Sequence, residues 1–189
     1  MNRKEFLTTC GAGLCGCAAG SLIPASSLSA AGTDSAEDWR LRFVKERYAS
    51  MLLILSERME AKELSRTLSE VGAFCASRWD QFIVQHRGDF DGLAKAIRQG
   101  SSGDEVSWDR EKGVIHMVSP ERSDCFCPLN SRNQNTPPVV CECSLGWQQY
   151  TWETFLQKNV RVEMKESVLR GGKRCIFEIH IAGEPATPA

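Results

Sequence analysis

The sequence has no excess of basic residues, because its 23 lysines and arginines face 24 aspartates and glutamates, for a net charge of −1. A nucleic-acid partner calls for a basic surface, so this balance argues against one. The chain also has no internal repeat. Its amino-terminal apolar run, residues 6–19, is shorter than the ~20 residues that span a bilayer. We therefore expect a soluble domain once the chain is processed.

The first 31 residues have the composition of an export signal. Arg3 and Lys4 form a basic start, the apolar run follows, and the small residues 29–31 offer a cleavage site. The rest fits one domain, since domains have ~100–200 residues each. The sequence thus predicts an export signal at 1–31, a polar linker at 32–37, a single domain at 38–183 and a flexible tail at 184–189.

Two stretches of this leader resemble known targeting signals. Residues 2–7, Asn-Arg-Lys-Glu-Phe-Leu, resemble the twin-arginine signal, with Lys4 in place of its second arginine. That resemblance implies a periplasmic protein that folds in the cytoplasm, where a cofactor can be loaded. Residues 14–17, Leu-Cys-Gly-Cys, loosely resemble a lipoprotein cleavage box. Membrane attachment is expected only if Cys17 is lipidated.

Apolar residues at helical spacing predict two long helices at the start of the domain. The first covers residues 39–59, and a shorter third helix is predicted at residues 90–99, ended by Gly100. Cys75, in the second helix, is interpreted as a small core residue, with a pocket thiol or an additional ligand as the alternatives. The apolar face of the second helix consists of Leu64, Leu68, Val71 and Cys75.

After residue 104 the apolar residues recur at every second position, which is typical of strands. Residues 106–108 and 114–118 are predicted to form one hairpin. His116 shares a face with Val114 and Val118, so we interpret it as a core residue, with a ligand role as the alternative.

A second hairpin is predicted at the carboxyl end, from residues 160–164 and 175–181 with a glycine turn between them. Glu178 and His180 share the face opposite the apolar residues of the last strand. That pair is interpreted as a solvated edge. The alternative is the beginning of an acid–base site.

Two Cys-x-Cys pairs enclose a polar loop in the middle of the domain. Cys125 and Cys127 precede the loop, and Cys141 and Cys143 follow it. The loop is rich in Asn, Ser and Pro and has little to bury, so we expect a metal or disulfides to hold its ends. The next segment is predicted to be a helix that is capped by Ser144 and carries an aromatic, core-facing stripe.

Three kinds of chemistry suit these four cysteines. Four thiolates match a tetrahedral Zn²⁺, and the same soft ligands suit copper(I) or an iron–sulfur cluster. Disulfides between the pairs would leave no cofactor and would close the loop with ~3 kcal/mol of stabilisation. Redox-active or nucleophilic thiols are the third interpretation, although no Cys-His-Asn signature is visible. Zinc is the favoured prediction.

The order of helices, hairpin, cysteine loop, helix and hairpin resembles the vinyl-reductase-type small-molecule-binding domain, which is related in fold to a trafficking-complex subunit. The resemblance is carried by residues 141–147 (Cys-Glu-Cys-Ser-Leu-Gly-Trp), 162–167 (Val-Glu-Met-Lys-Glu-Ser) and 171–177 (Gly-Gly-Lys-Arg-Cys-Ile-Phe). The tail is also similar to that of bacterial amino-thiazoline-carboxylate hydrolases. Sensor members of the superfamily hold zinc with cysteines in this region, which implies Cys125, Cys127, Cys141 and Cys143 as ligands here.

The whole pattern predicts an α+β fold, with amino-terminal helices packed on an antiparallel sheet of two β-hairpins and the cysteine loop and a helix between them. The expected function is an exported domain that binds a small molecule in an apolar pocket, with the cysteine site bracing its rim. Hydrolysis of a carbon–nitrogen bond in an amino-thiazoline-carboxylate-like substrate is the alternative. A homodimer through residues 39–59 is also expected. The candidate pocket residues are Cys75, His116, Trp147, Glu178 and His180.

Overall fold

A computed structural model describes residues 39–127, 130 and 136–183, and it has the predicted α+β fold. The export signal, linker and tail lie outside the described residues. Two short 3₁₀ helices, Pro138–Val140 and Val168–Arg170, flank the main elements. The helices are α1 (Trp39–Arg58), α2 (Ala61–Ser77), α3 (Asp80–Val84), α4 (Phe90–Gln99) and α5 (Cys141–Leu156). The strands are β1 (Glu105–Asp109), β2 (Val114–Val118), β3 (Val160–Glu166) and β4 (Ile176–Ile181).

None of the described helices is both long enough and apolar enough to cross a membrane.

The four strands form one antiparallel sheet in the order β1-β2-β4-β3. The two predicted hairpins are therefore both present, and they join because β2 also pairs with β4. In that central pairing Ile115 lies opposite Ile179, and Met117 lies opposite Phe177. Since successive residues of a strand point to opposite faces, these four side chains share one face of the sheet.

This face holds the main core. Ile115 and Ile179 are fully buried, and Trp152 and Phe155 of α5 pack in the same cluster. The aromatic stripe of α5 is therefore core packing, as predicted. A second apolar cluster lies among the helices, where Leu52 of α1 meets α2 and the 3₁₀ helix before α5; its buried members are Leu52, Leu64, Leu68 and Val140.

The interpretation of His116 as a core residue is wrong. The core side of β2 consists of Ile115 and Met117, and the side chain of His116 is 38% exposed on the opposite face. The error arose because all but one of the residues of β2 are apolar, so periodicity alone did not identify the inner face.

Helix α2 crosses α5 at two glycines. A β carbon on Gly72 would lie 1.8 Å from the carbonyl oxygen of Cys143, and one on Gly146 would lie 1.9 Å from that of Ser69. Such distances are far below van der Waals contact, so only glycine lets the two backbones approach this closely. The cysteine-bearing start of α5 is consequently held tightly against α2.

The predicted inner face of α2 is correct only for Leu64 and Leu68. Val71 is 42% exposed and Cys75 is exposed, so the core interpretation of Cys75 is wrong. The buried stripe instead continues through Gly72 and Ala76. These small residues make the contact with α5, but a hydrophobicity pattern gives them little weight.

Helix α1 covers the predicted segment and has apolar residues on more than one side. Ala49 and Leu52 are buried against the rest of the domain. Leu55 is half-buried and packs against the second apolar cluster. Seven further large apolar side chains lie on the surface, each at least 40% exposed: Trp39, Leu41, Phe43, Val44, Met51, Leu53 and Ile54.

Candidate cysteine site and apolar groove

The two Cys-x-Cys pairs have different backbones. Cys125 and Cys127 lie in an irregular segment after β2, whereas Cys141 and Cys143 lie in the first turn of α5. The predicted cap at Ser144 is wrong, because α5 begins at Cys141, directly after the 3₁₀ helix that Pro138 opens. A proline at the first helical position favours helix initiation there.

The helical backbone directs Cys141 and Cys143 to different sides. Residues two apart in a helix are ~200° apart around its axis, so they do not face each other. The thiol of Cys141 is buried and lies 3.1 Å from the hydroxyl of Ser167. The thiol of Cys143 instead accepts a hydrogen bond from the hydroxyl of Tyr48 on α1.

The residue between these two cysteines fixes the turn in place. The carboxylate of Glu142 accepts a hydrogen bond from the hydroxyl of Ser65 on α2 at 2.8 Å and an ion-paired one from Arg170 at 2.9 Å. The first turn of α5 is thereby tied both to α2 and to the 3₁₀ helix after β3.

The cysteines form two groups around this turn according to which thiols influence each other's pKa, and the two groups are joined because Cys141 also raises the pKa of Cys143. We refer to the first as the sheet-side thiols, Cys125, Cys141 and Cys175. We refer to the second as the helix-side thiols, Cys75, Cys127 and Cys143; after burial, which is the main cause, all three raise the pKa of Tyr48. Each Cys-x-Cys pair therefore contributes one thiol to each group.

Burial raises the pKa of the partly enclosed thiols. It is the main reason why the pKa of Cys143 rises to about 12, even though the Tyr48 hydroxyl acts in the opposite direction. The pKa of Cys141 and that of Cys175 are raised for the same reason. A thiol attacks as thiolate, so at neutral pH these three are poor nucleophiles.

The donor geometry does not match a single zinc bound by all four predicted ligands. Among the described residues, the one group of three or more Cys, His, Asp or Glu ligand atoms within 4.8 Å of each other contains no cysteine. The divergence of Cys141 and Cys143 is the physical reason. Zinc binding by these cysteines stays a prediction.

The other predicted pocket residues lie apart from the cysteines. His116, Glu178 and His180 occupy the sheet face opposite the core, and Trp147 lies in α5 next to the contact with Gly72. Sequence reasoning missed Tyr48, Glu142 and Ser167 as partners of the cysteine site. Tyr48 was visible only as one apolar position of α1, whereas Glu142 was marked by its place between two cysteines.

An apolar groove of about 480 Å³ runs between α1 and the segment after β3. Leu169, in its wall, also packs against the second apolar cluster, which includes Cys143. Val168, in the same wall, follows Ser167, the partner of the Cys141 thiol. The groove therefore borders the cysteine site. Its lining residues are Leu53, Thr136, Pro137, Pro138, Val168, Leu169 and Gly171.

No protein-family model and no curated protein matches the sequence. Among solved structures, the chain is similar to a trafficking protein particle complex subunit 3 from Naegleria fowleri covalently bound to palmitic acid, with a TM-score of 0.52 and 15% identity over 78% of this chain and 98% of that one. It also matches the phenol-responsive sensory domain of the transcription activator PoxR, with a TM-score of 0.45 and 16% identity over 71% and 73% of the two chains. A vinyl-4-reductase family protein from Methanocaldococcus jannaschii gives a TM-score of 0.37 and 12% identity over 75% and 81%. The first of these likenesses shows a shared fold.

Proposed function

We propose that this chain is an exported small-molecule-binding domain whose ligand is an apolar molecule held in the groove between α1 and the segment after β3. The observation that carries the proposal is the groove itself, an open site on the surface with a wall of leucine, valine and proline side chains. Apolar concave sites of 300–1,000 Å³ are typical of small-molecule binding. The palmitic acid in the similar trafficking subunit is consistent with an acyl chain as one class of ligand.

The cysteine site has a supporting role in this proposal. Glu142 and Cys141 connect the first turn of α5 to Arg170 and Ser167, on either side of the groove residues Val168 and Leu169. These contacts fix one wall of the groove relative to the helices. The raised thiol pKa values fit a bracing role better than a nucleophilic one.

Among the described residues, the contacts of each histidine are with groups other than a cysteine thiol, which weakens the hydrolase alternative. A cysteine nucleophile requires a neighbouring base, most often histidine. The Nδ1 atom of His86 lies 2.8 Å from the carbonyl oxygen of Phe82. His116 and His180 lie beside Glu178 on the outer face of the sheet. These three are the whole histidine complement of the chain, so binding is the better-supported function.

The experiment compares ligand binding by two matched variants. Leu169→Asp places a charge in the groove wall, and Val84→Asp places the same charge at an exposed apolar position of α3. We expect the wild type and Val84→Asp to bind palmitic acid, detected by displacement of 8-anilinonaphthalene-1-sulfonate fluorescence. Leu169→Asp should lose about tenfold or more in affinity, because a buried charge opposes an apolar ligand. Equal affinity in all three proteins would refute the groove as the binding site.

The exposed apolar residues of α1 are proposed to pair with α1 of a second copy. Trp39, Phe43 and Ile54 recur with the helical period, so one stripe can meet an identical stripe across a two-fold axis. Phe43→Glu should convert a dimer to a monomer in sedimentation velocity. Val71→Glu, at an exposed apolar position of α2, is the matched control and should leave the dimer intact.

The export part of the proposal concerns residues outside the described range. Expression in a bacterium with a twin-arginine pathway should yield a periplasmic protein shortened near residue 31. Intact mass and amino-terminal sequencing distinguish this product from one that begins with a lipidated Cys17, and an unprocessed cytoplasmic chain would contradict the proposal.

A further inference from the structure

The face of the sheet that points away from the core carries a cluster of ionisable side chains from three strands. In the strand register, Glu163 of β3 lies opposite Glu178 of β4, and Glu178 lies opposite His116 of β2. His180 follows two residues after Glu178 and therefore shares the same face. This cluster is separate from the cysteines and the groove.

Two carboxylates directly opposite each other across an antiparallel pair repel and destabilise the sheet. Here a cation compensates for that repulsion. The ammonium of Lys165 lies 3.0 Å from an oxygen of Glu163 and 3.0 Å from an oxygen of Glu178. The position between the two carboxylates is thus built to hold positive charge.

The imidazole of His180 faces the same position. Its Nε2 lies 3.8 Å from the oxygen of Glu163 and 3.7 Å from the oxygen of Glu178 that also contact Lys165. Both distances are too long for a hydrogen bond. Nε2 is also buried and has no hydrogen-bond partner, although the groups around it are strong acceptors. A nitrogen in this arrangement is placed to bind a cation shared with the two carboxylates.

We propose that Glu163, Glu178 and His180 form a binding site for a divalent transition-metal ion, Zn²⁺ being the best match. Their ligand atoms all lie within 4.8 Å of one another. A tetrahedral site with bonds of ~2.1 Å has its ligands ~3.4 Å apart, so side-chain rotation alone closes the difference. One imidazole and two carboxylates form a donor set that suits zinc.

Lys165 and His116 have different parts in this site. Lys165 competes with the metal for both carboxylates; its side chain is 46% exposed, so it can move into solvent when the ion binds. His116 lies 3.9 Å from the other oxygen of Glu178 and is a positioning residue for that carboxylate. The remaining charged neighbour, Arg161, forms an ion pair with Glu163 from the same strand.

The chain has three histidines, which makes imidazole NMR a direct test. Zn²⁺ is added to the wild-type protein at neutral pH while the ring signals are followed. The proposal predicts a saturable shift of the His180 ring, a smaller shift for His116, and none for His86, which lies in the turn after α3 against Phe82. An unshifted His180 ring with excess Zn²⁺ would overturn the proposal.

Three variants strengthen the test. Glu163→Gln should abolish the His180 shift, whereas Glu105→Gln, an exposed carboxylate on β1 of the same sheet, should leave it unchanged. Lys165→Met removes the competing cation and should tighten Zn²⁺ binding by about two- to fivefold, the range expected for an exposed ion pair. An unaltered shift in Glu163→Gln, or weaker binding in Lys165→Met, would refute the assignment. The unperturbed His86 signal reports that each variant is folded.

Zinc bound by the cysteines does not interfere with these readouts. Such an ion would lower the number of titratable thiols without shifting His180, and Glu163→Gln would not change the thiol count. Failure of the sheet-face site and failure of the cysteine or groove proposals are therefore distinguishable.

Discussion

Gly72 on α2 lies directly under the backbone carbonyl of Cys143 on α5, at a place where an added β carbon would be 1.8 Å from that oxygen. The closest approach of the two helices thus occurs at a residue of the second Cys-x-Cys pair. The reciprocal contact of Gly146 with Ser69 lies one turn further along. Any side chain at these glycines has to displace the cysteine-bearing turn, so the packing of α2 controls the geometry of the site.

Gly72→Ala is expected to destabilise the protein by about 2 kcal/mol or more, as overpacked contacts do. The sign of this change in stability is informative, because the same substitution in an unconstrained helix stabilises the helix by ~1 kcal/mol. Urea unfolding followed by tryptophan fluorescence measures the change. Glu70→Ala, at an exposed position of the same helix, serves as control and should stay within ~0.5 kcal/mol of the wild type. A stabilised Gly72→Ala protein would show that α2 and α5 are further apart.

The burial of the thiols predicts an order of alkylation. Cys75 is exposed, whereas Cys141 is buried and the pKa of Cys141 and of Cys143 is raised by burial. In iodoacetamide labelling at pH 8 with mass-spectrometric mapping, Cys75 should react first and the other two last. In urea the three rates should converge. Labelling of native Cys143 as fast as Cys75 would contradict the described packing of α5.

The sequence was sufficient for the four longer helices and for the pairing within each hairpin, because the apolar period changes clearly from helical to alternating near residue 104. It did not predict α3 or the pairing of β2 with β4. It was insufficient where small residues make the contacts. Hydrophobic patterning placed Cys75 in the core and overlooked Gly72. A glycine lets two helices pack closely because it has no side chain, and a hydrophobicity pattern does not register this. Similarly, Ser144 was a good capping residue in isolation, but Pro138 starts the helical turn earlier.

The site was predictable in its residues and not in its geometry. Two Cys-x-Cys pairs suggested four converging thiols, yet the partners of a helical cysteine depend on its position around the helix axis. Once α5 begins at Cys141, that thiol faces Ser167 while Cys143 faces Tyr48. Only long-range packing brings these partners together, so no local pattern could show them.

Metal stoichiometry tests whether the four predicted cysteines bind zinc, although the thiols of Cys141 and Cys143 face different sides of α5. If Cys125, Cys127, Cys141 and Cys143 hold one zinc, the Glu163→Gln protein folded in a reducing cytoplasm contains one equivalent of zinc more than a Glu163→Gln protein in which these four cysteines are replaced by serine. Chelation should then release four thiols to titration and destabilise the domain. Elemental analysis with thiol titration before and after chelation provides both numbers. No loss of stability on chelation, with every thiol already titratable, would exclude the four-cysteine site.

The final prediction concerns alkaline pH, in metal-free reduced protein. The pKa of Cys143 is about 12 in the folded state, above its ordinary value of 9.0, chiefly because of burial. Between these values the unfolded chain has lost a proton that the folded protein keeps. The contribution of this group to stability is therefore complete below pH 9 and is lost as the pH rises towards 12.

Cys143→Ser removes the titrating thiol and keeps a group that can accept the hydrogen bond from Tyr48. Above pH 9, we expect the free energy of unfolding to fall less steeply with pH in this variant than in the wild type. Between pH 7 and 8 the two proteins should have the same slope, because the thiol is protonated in the folded and in the unfolded state. Urea unfolding at a series of pH values gives the two slopes. If the two curves of unfolding free energy against pH are parallel throughout, Cys143 is as accessible to water in the folded protein as in the unfolded chain. That outcome would contradict the contact between α1, α2 and α5 that buries this residue.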